Sequence, residues 1–427
     1  MFRGFPAPKY RLNIDPRKRS KTNFSIKRQS TSFGTTDWLA RSIQTAFTVA
    51  MHSPFDPKPQ LAPLQRVMLR NTFKEPTAGH HVEQVEIVFA PTATRARIFA
   101  AWRETVEQTA ALQISFTLGN GQPQPWDFVS PPVTLHHPEP LTGSVASWLE
   151  ADQLRPLLTS GEVPWRAVFW PETRRFVWTF HHALLDGRSI TRILRNFLKR
   201  IDSSHPEYLT LSRWQPATAE GIALAETRFS KRVPPSIRFP VAEPDSTPAV
   251  HCLGQEFGNR LESSAVEMAV TVAAILTWSW GQAILAASAT DAVWVEQLRS
   301  GAPQPGTAGF SMNLLPVLIH AKTNLTQFGK QLLDLRAIET VSPEDFPPGV
   351  FPDTRGPWAS VIMVERGSLH QMALASDSVE ILKLHERKAE TLVATAYIMP
   401  DLRLEVEGPG RHALLAGWIE SLEKLKN

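Results

Sequence analysis

The sequence predicts an α/β chain of the α+β type built as two packed halves, and three observations carry that expectation. Helix-period and strand-period segments alternate through most of residues 61–427. A length of 427 residues exceeds what one hydrophobic core of ordinary size organises. The stretch Arg232–Ala249 (RVPPSIRFPVAEPDSTPA) is dense in proline and lacks periodicity, which places a boundary there. The division that follows is a basic extension over 1–60, a first half over 61–235, a linker over 236–249 and a second half over 250–427.

Taken in order, Val82 to Ala90 (VEQVEIVFA) alternates as a strand does. Thr94 to Ala111 reads as a helix with Ile98, Trp102 and Val106 on one face. Gly119-Asn120-Gly121 has the composition of a hairpin turn. Trp165 to Trp170 and Arg174 to Phe180 (RRFVWTF) are rich in β-branched and aromatic residues and read as a strand pair. Ile190, Ile193, Leu194, Phe197, Leu198 and Ile201 then recur at helical spacing. In the second half, Val250 to Phe257 reads as a strand, Ser264 to Ala287 as one long apolar helix and Ala292 to Glu296 as a buried strand. A modest helix is expected between Phe328 and Val341. Strands are expected over Pro357 to Val364, Val379 to Leu384, Leu392 to Met399 and Leu402 to Val406. A terminal helix is expected from about Arg411 to Lys424.

The most informative segment is Phe180-His181-His182-Ala183-Leu184-Leu185-Asp186-Gly187-Arg188-Ser189. A strand delivers two histidines to its end, a tight loop follows, and an amphipathic helix begins. Ser189 or Asp186 can cap that helix, and Gly187 can take backbone conformations that other residues avoid. An imidazole held at a strand end beside backbone N–H groups at a helix start suits a general base with a nearby oxyanion donor.

HHALLDG fits the HHxxxDG motif and resembles that of the chloramphenicol acetyltransferase-like superfamily, which includes condensation domains and other thioester-dependent acyltransferases. Leu61-Ala62-Pro63-Leu64-Gln65 resembles a condensation-domain opening, where a short strand and helix carry a glutamine. Gly309-Phe310-Ser311-Met312-Asn313-Leu314-Leu315-Pro316 resembles the strand that crosses between the two halves. The resemblance implies two similar α/β subdomains meeting in a V, with the active site at their junction. It implies His182 as general base, Asp186 as a structural residue held by an arginine (Arg188 or Arg299), and Gly187 keeping the loop tight beside the reacting atoms. His181 would pack beneath the loop, and Ser189, Asn313 and Arg299 would support the site. The sequence departs from the family at Thr109–Thr117, where a histidine and a leucine-arginine pair are usual, and in the order Arg299-Ser300-Gly301. It also lacks the aspartate-phenylalanine-glycine-tryptophan-glycine motif of the plant branch.

Charge is unevenly spread. Residues 1–50 hold ten Lys or Arg against Asp15 and Asp37, a net of +8, and since the whole chain carries +4 the remainder carries −4. The tail admits three readings: a transit peptide, a disordered arm for an acidic partner, or an upstream extension with Met51 as the start. The last is the expectation here, because recognisable elements begin near Leu61. The single cysteine, Cys252, excludes an internal disulfide and a thiolate cluster, and its strand position suggests a buried structural thiol. His80-His81 and His136-His137 raise metal binding, but adjacent strand residues face opposite ways, so at most one of each pair could join a common site. There is no GxSxG elbow, phosphate-binding loop or dinucleotide fingerprint. The apolar stretch near Ala265–Ala287 is interrupted by Glu267 and Gln282, too mixed for a bilayer span. A cytoplasmic protein without a membrane span or nucleic-acid partner is expected.

The function that the resemblance implies is a stand-alone acyltransferase, moving an acyl group from a carrier-protein phosphopantetheine or CoA thioester to an amine or alcohol. No tightly bound cofactor is expected. The rival expectation is a non-catalytic relative that docks to a carrier protein or synthetase, favoured by the missing polar residues near Leu112.

Overall fold

In the computed structural model, the described residues are 60–124, 127–131, 143–158, 161–202, 207–229, 247–300, 305–341, 360–365, 376–386, 392–399 and 401–426. They belong to one unit spanning Lys58–Asn427. The basic tail, His136-His137 and most of the proline-rich boundary segment lie outside them.

The chain enters through helix α1 (Pro63–Lys74), with proline in its first turn where a missing N–H costs nothing. No strand precedes it among the described residues. Strand β1 (Val82–Phe89) follows, and all of its residues are buried. Helix α2 (Arg95–Glu107) is capped by the Thr94 side chain, which accepts from the Arg97 N–H. A turn with positive φ at both Asn120 and Gly121 closes the expected hairpin of Leu118–Gly119 with Gln122–Pro123. Helix α3 (Val145–Leu154), strands β2 (Trp165–Trp170) and β3 (Arg175–His181), and helices α4 (Gly187–Ile201) and α5 (Ala219–Phe229) complete this part.

The second part comprises β4 (Ala249–Leu253), α6 (Gly254–Glu267), α7 (Val272–Ser288), β5 (Ala292–Ser300), β6 (Met312–His320), α8 (Leu325–Asp334), β7 (Ser360–Glu365), β8 (Val379–Glu386), β9 (Leu392–Tyr397), β10 (Leu402–Glu407) and α9 (Arg411–Glu423). The expected helix over Ser264–Ala287 is two helices bent by 102°. The chain turns at Ala269, which has φ 52°, and Thr271 caps the second helix through the Ala274 N–H. The expected strand over Val250–Phe257 stops at Leu253, and Cys252 is exposed, so its thiol is not the buried group that a strand reading suggested. No single helix among the described residues is long and apolar enough to cross a membrane. The α6–α7 pair passes on length and composition only together.

Two main sheets result. One has strand order β8-β1-β3-β2 and is antiparallel throughout; the other has order β6-β5-β7-β9-β10-β4, with parallel pairs β5–β7 and β7–β9. Strand β8 follows most of the second sheet in sequence, yet it pairs with β1 and buries Leu382 in the first core. The first core is built on the inward row Val85, Ile87 and Phe89 of β1, with Phe176, Trp178 and Phe180 of β3. At its centre the fully buried Trp102 ring meets Trp165, Phe176, Trp178 and Phe197 edge-on at 5.0–5.7 Å, which adds to the burial energy of each ring. The second core gathers Ile275, Trp280, Val293, Val295, Leu404 and Trp418.

Helix α7 packs closely at Gly281, where an added Cβ would stand 2.2 Å from Ile319 Cδ1 and 3.0 Å from its Cγ2. The gain in helix propensity from alanine, about 1 kcal/mol, is opposed by an overpacking cost of ~1–3 kcal/mol. Gly281→Ala is therefore expected to destabilise by about 1 kcal/mol. Ile319→Ala in the same chain should leave the alanine room, so a double-mutant cycle in urea should return a coupling of opposite sign to the single loss.

Candidate active site

The site assembles where β3 ends. The backbone ladder runs Val82 opposite His181 and Glu83 opposite Phe180, and beyond it the His182 N–H donates to the His81 carbonyl at 2.7 Å. Alternation along β3 sends the two histidines apart. His181 is fully buried: its Nδ1 accepts from the Ala183 N–H at 3.1 Å and its Nε2 lies 2.8 Å from Thr72 Oγ1. With Nδ1 an acceptor, Nε2 carries the proton and donates to Thr72, whose hydroxyl lies 3.2 Å from the His80 carbonyl. Burial, with His81 and His182 close by, holds His181 well below the ordinary histidine range. It is a neutral pin between the histidine loop and α1. Gln65 adds a second pin, accepting from the Ala62 N–H and donating to the Ala183 carbonyl at 2.8 Å.

His182 lies on the other side. Its side chain is 22% exposed, its ring stands edge-on to Phe310 at 5.9 Å, and its Nδ1 is 3.1 Å from Glu83 Oε1. That contact is at ion-pair distance without the alignment of a good hydrogen bond, and Glu83 Oε2 is buried with no hydrogen-bond partner among the described residues. Glu83 continues the inward row of β1 beyond Val85, Ile87 and Phe89, so the strand carries a carboxyl at the end of an apolar row. Burial, and secondarily Glu365 at the end of β7, push this carboxyl up to about 8. His81, next to the histidine pair, is lowered to about 4 by burial and then by His182 and His80. Sequence reasoning missed Glu83. Its one visible signal was a carboxylate in the same alternating row as core residues.

Asp186 caps α4: Oδ1 accepts from the Ser189 N–H at 2.8 Å, and Oδ2 accepts from Ser311 N–H at 3.2 Å and Ser311 Oγ at 2.9 Å. The resemblance implied an arginine on this aspartate; among the described residues its partners are serine and backbone groups. Arg188 is exposed on the first turn of α4. Arg299 is engaged elsewhere, with Glu339 Oε1 (Nε at 3.0 Å) and Gln297 Oε1 at 3.0 Å, and it lines a cavity of about 410 Å³ beside Leu332 and Glu339. The reason is geometric. Ser311 arrives on a neighbouring segment with both a hydroxyl and an N–H, and these satisfy one carboxylate oxygen that a cation would otherwise neutralise. Ser311 also went unnoticed in the sequence.

Ser189 supports the loop. Its hydroxyl donates to the Gly309 carbonyl at 2.8 Å and lies 3.0 Å from the Gly309 N–H, while the Asp186 N–H donates to the same carbonyl at 3.0 Å. Gly309 has φ +151°, and a Cβ there would lie 3.2 Å from the Ser212 carbonyl oxygen, so glycine lets the segment lie against its neighbour. Asn313 turns away from the histidine. Its amide donates to the Glu339 and Val341 carbonyls at 2.9 and 2.8 Å, and its oxygen accepts from the Leu314 N–H at 3.0 Å. Asn313 therefore clamps the chain after α8. Gly187 is exposed at the start of α4, with open space where a Cβ would sit. Among the described residues no group of three His, Cys, Asp or Glu is placed to hold a metal ion.

No family model matches the chain. Over 149 residues it is 29% identical to a linear gramicidin synthase of Brevibacillus parabrevis, covering 32% of this chain and 2% of that protein. The chain thus meets only a small fraction of that curated relative's length. Among solved structures, the first condensation domain of the calcium-dependent antibiotic synthetase, in complex with a substrate analogue, superposes with TM-score 0.64 at 16% identity. The match covers 87% of this chain and 96% of that one. The epimerization domain from the third module of tyrocidine synthetase B gives TM-score 0.64 at 14% identity, covering 86% and 95%. Mixed helices and strands in this order, with a histidine pair closing β3, thus give this chain the fold of the condensation domains of peptide synthetases.

Proposed function

We propose that this chain is an acyltransferase of the condensation type, moving an acyl group from a thioester to an amine or hydroxyl, with His182 as general base. The observation that carries the reading is the partly exposed His182 ring at the end of β3, its Nδ1 turned to a buried carboxyl. With Nδ1 facing Glu83, the proton-accepting role falls to Nε2 once that carboxyl is ionised. A thioester carbonyl is already activated, so the barrier lies with the neutral nucleophile. Nε2 takes the acceptor's proton as the new bond forms and returns it to the departing thiolate. Backbone N–H groups at the start of α4 near Gly187 are the candidate donors for the tetrahedral oxyanion. Asp186 and Ser189 hold that helix start against residues 309–311, and His181 and Gln65 hold the turn from behind.

The donor is an acyl-CoA or a carrier-protein phosphopantetheine thioester. The fold also occurs in an epimerization domain, whose name denotes different chemistry, so it does not choose the reaction. The test is thiol release and product mass with a panel of acyl-CoA and acyl-carrier donors and mixed amine and alcohol acceptors. Wild type should turn over with at least one donor class, and His182→Ala, folded by circular dichroism, should fall to the background rate. Equal background in both proteins across all donors would overturn the enzyme reading in favour of a docking role.

A further inference from the structure

A carboxyl at the end of an apolar row is an expensive choice for a fold. Glu83 shares its face of β1 with Val85, Ile87 and Phe89, and it is 7% exposed. No lysine or arginine meets it in any described contact, and Oε2 has no hydrogen-bond partner there. Burial without a compensating cation or donor costs stability, so an apolar side chain or a glutamine would serve packing better. Its only close polar neighbour among the described contacts is Nδ1 of His182. The backbone fixes that neighbour: Val82 pairs with His181, and the His182 N–H is bonded to the His81 carbonyl, so the Glu83 and His182 side chains leave the same face two rungs apart on one ladder.

We propose that Glu83 is a positioning residue for His182. It accepts the Nδ1 proton, keeps Nε2 as the basic nitrogen, and balances the imidazolium formed when Nε2 takes the acceptor's proton. This rests on the acyl-transfer reading and names how its base is held. The 3.1 Å contact is already at hydrogen-bond distance, and catalytic contacts of this kind tighten into alignment when substrate binds. The proton moves from the acceptor N–H or O–H to Nε2 and then to the thiolate sulfur; the Nδ1 proton stays in place throughout.

The protonated carboxyl would do the opposite. Its O–H would donate to Nδ1 and leave the proton on Nε2, so the ring could not act as base there. Among the described residues, the ionisable groups near the pair include Glu365 from β7, His81 before β1 and His181 on β3, while Glu386 of β8 stands opposite Glu83 in the register. Glu365 opposes ionisation of Glu83, and His81 and His181 are neutral above pH 7. Activity should therefore rise with pH through about 8, where Glu83 loses its proton.

The experiment compares wild type, Glu83→Gln and Glu83→Asp in kcat, KM, pH profile and ring nitrogen NMR of His182. Glu83→Gln should lower kcat ~100-fold with KM changed less than ~3-fold, because it lacks the charge that balances imidazolium. Its acid limb should move to lower pH, and its melting temperature at pH 8.5 should rise. Glu83→Asp should keep the high limb with reduced kcat. Above pH 8.5 the wild-type ring should carry its proton on Nδ1, a readout that does not require turnover. Wild-type kcat and an unmoved limb in Glu83→Gln, or an Nε2 proton at high pH, would overturn the inference. Loss of activity in His182→Ala alongside either result would leave the acyl-transfer reading standing, so the two failures are separable.

Discussion

Asp186→Ala should lose about 3 kcal/mol of stability and, in the protein that remains folded, ~10–100-fold of kcat. The carboxylate accepts from the Ser189 N–H and from both the N–H and hydroxyl of Ser311. Losing the helix cap costs ~1 kcal/mol, and each buried donor left without an acceptor costs ~1–3 kcal/mol. Rate should fall as well, because these bonds hold the start of α4 and the segment carrying Phe310 against the His182 ring. Asp186→Asn separates the two effects. Its oxygen still accepts from Ser189, but its NH₂ meets the Ser311 N–H donor to donor, so roughly half the loss should remain. Urea denaturation gives the stability terms; kcat at saturating donor gives the other. If Asp186→Ala folds with full stability, the aspartate is not the bracket these contacts describe.

Asp152→Ala should destabilise by about 3–5 kcal/mol while kcat/KM of the folded protein in the proposed acyl transfer stays within ~3-fold of wild type. Asp152 lies at the C-terminal end of α3 and is 5% exposed. Arg166 of β2 meets Oδ1 at 2.7 Å through Nε, Thr179 donates to Oδ2 at 2.6 Å, and Gln84 donates to Oδ2 at 3.0 Å. Removing the carboxylate leaves a guanidinium that is 12% exposed with backbone carbonyls as partners but no counter-charge, and takes the acceptor from the Thr179 hydroxyl; an uncompensated buried charge dominates such losses. Activity should survive because Gln84 and Thr179 occupy the face of β1 and β3 opposite Glu83 and Phe180. The two aspartates thus make a contrast. Both are buried and multiply bonded, yet only Asp186 holds the segment that places Phe310 against His182, so a large fall in kcat/KM for folded Asp152→Ala would show that the two faces of the sheet are coupled.

Much of the site was legible because its determinants are local. The FVWTF run reads as strand from residue type alone, the helix after Gly187 from its period, and Asp186 as a cap from its place before that helix. What failed depended on partners far along the chain. Arg299 and Asn313 were assigned to the histidine's surroundings by motif, yet Glu339, in the turn after α8, draws Arg299, and its carbonyl and that of Val341 draw Asn313. No spacing between residues 299, 313 and 339 announces that. The break between α6 and α7 was missed because neither glycine nor proline marks it. Thr271, a capping residue inside an apolar run, was the one available clue.

By itself the sequence determined that a histidine pair would close a strand beside a capped helix, since hydrophobic period, β-branched content and capping chemistry act over a few residues. Only the tertiary structure decided which groups face that pair. Strand β8 crosses to the first sheet, Ser311 takes the place of an arginine on Asp186, and Glu83 comes to lie beside His182 Nδ1. These are meetings of distant segments, set by how two sheets bury their apolar faces, and a buried carboxyl acquires its chemistry from whatever that packing leaves within about 3 Å of it.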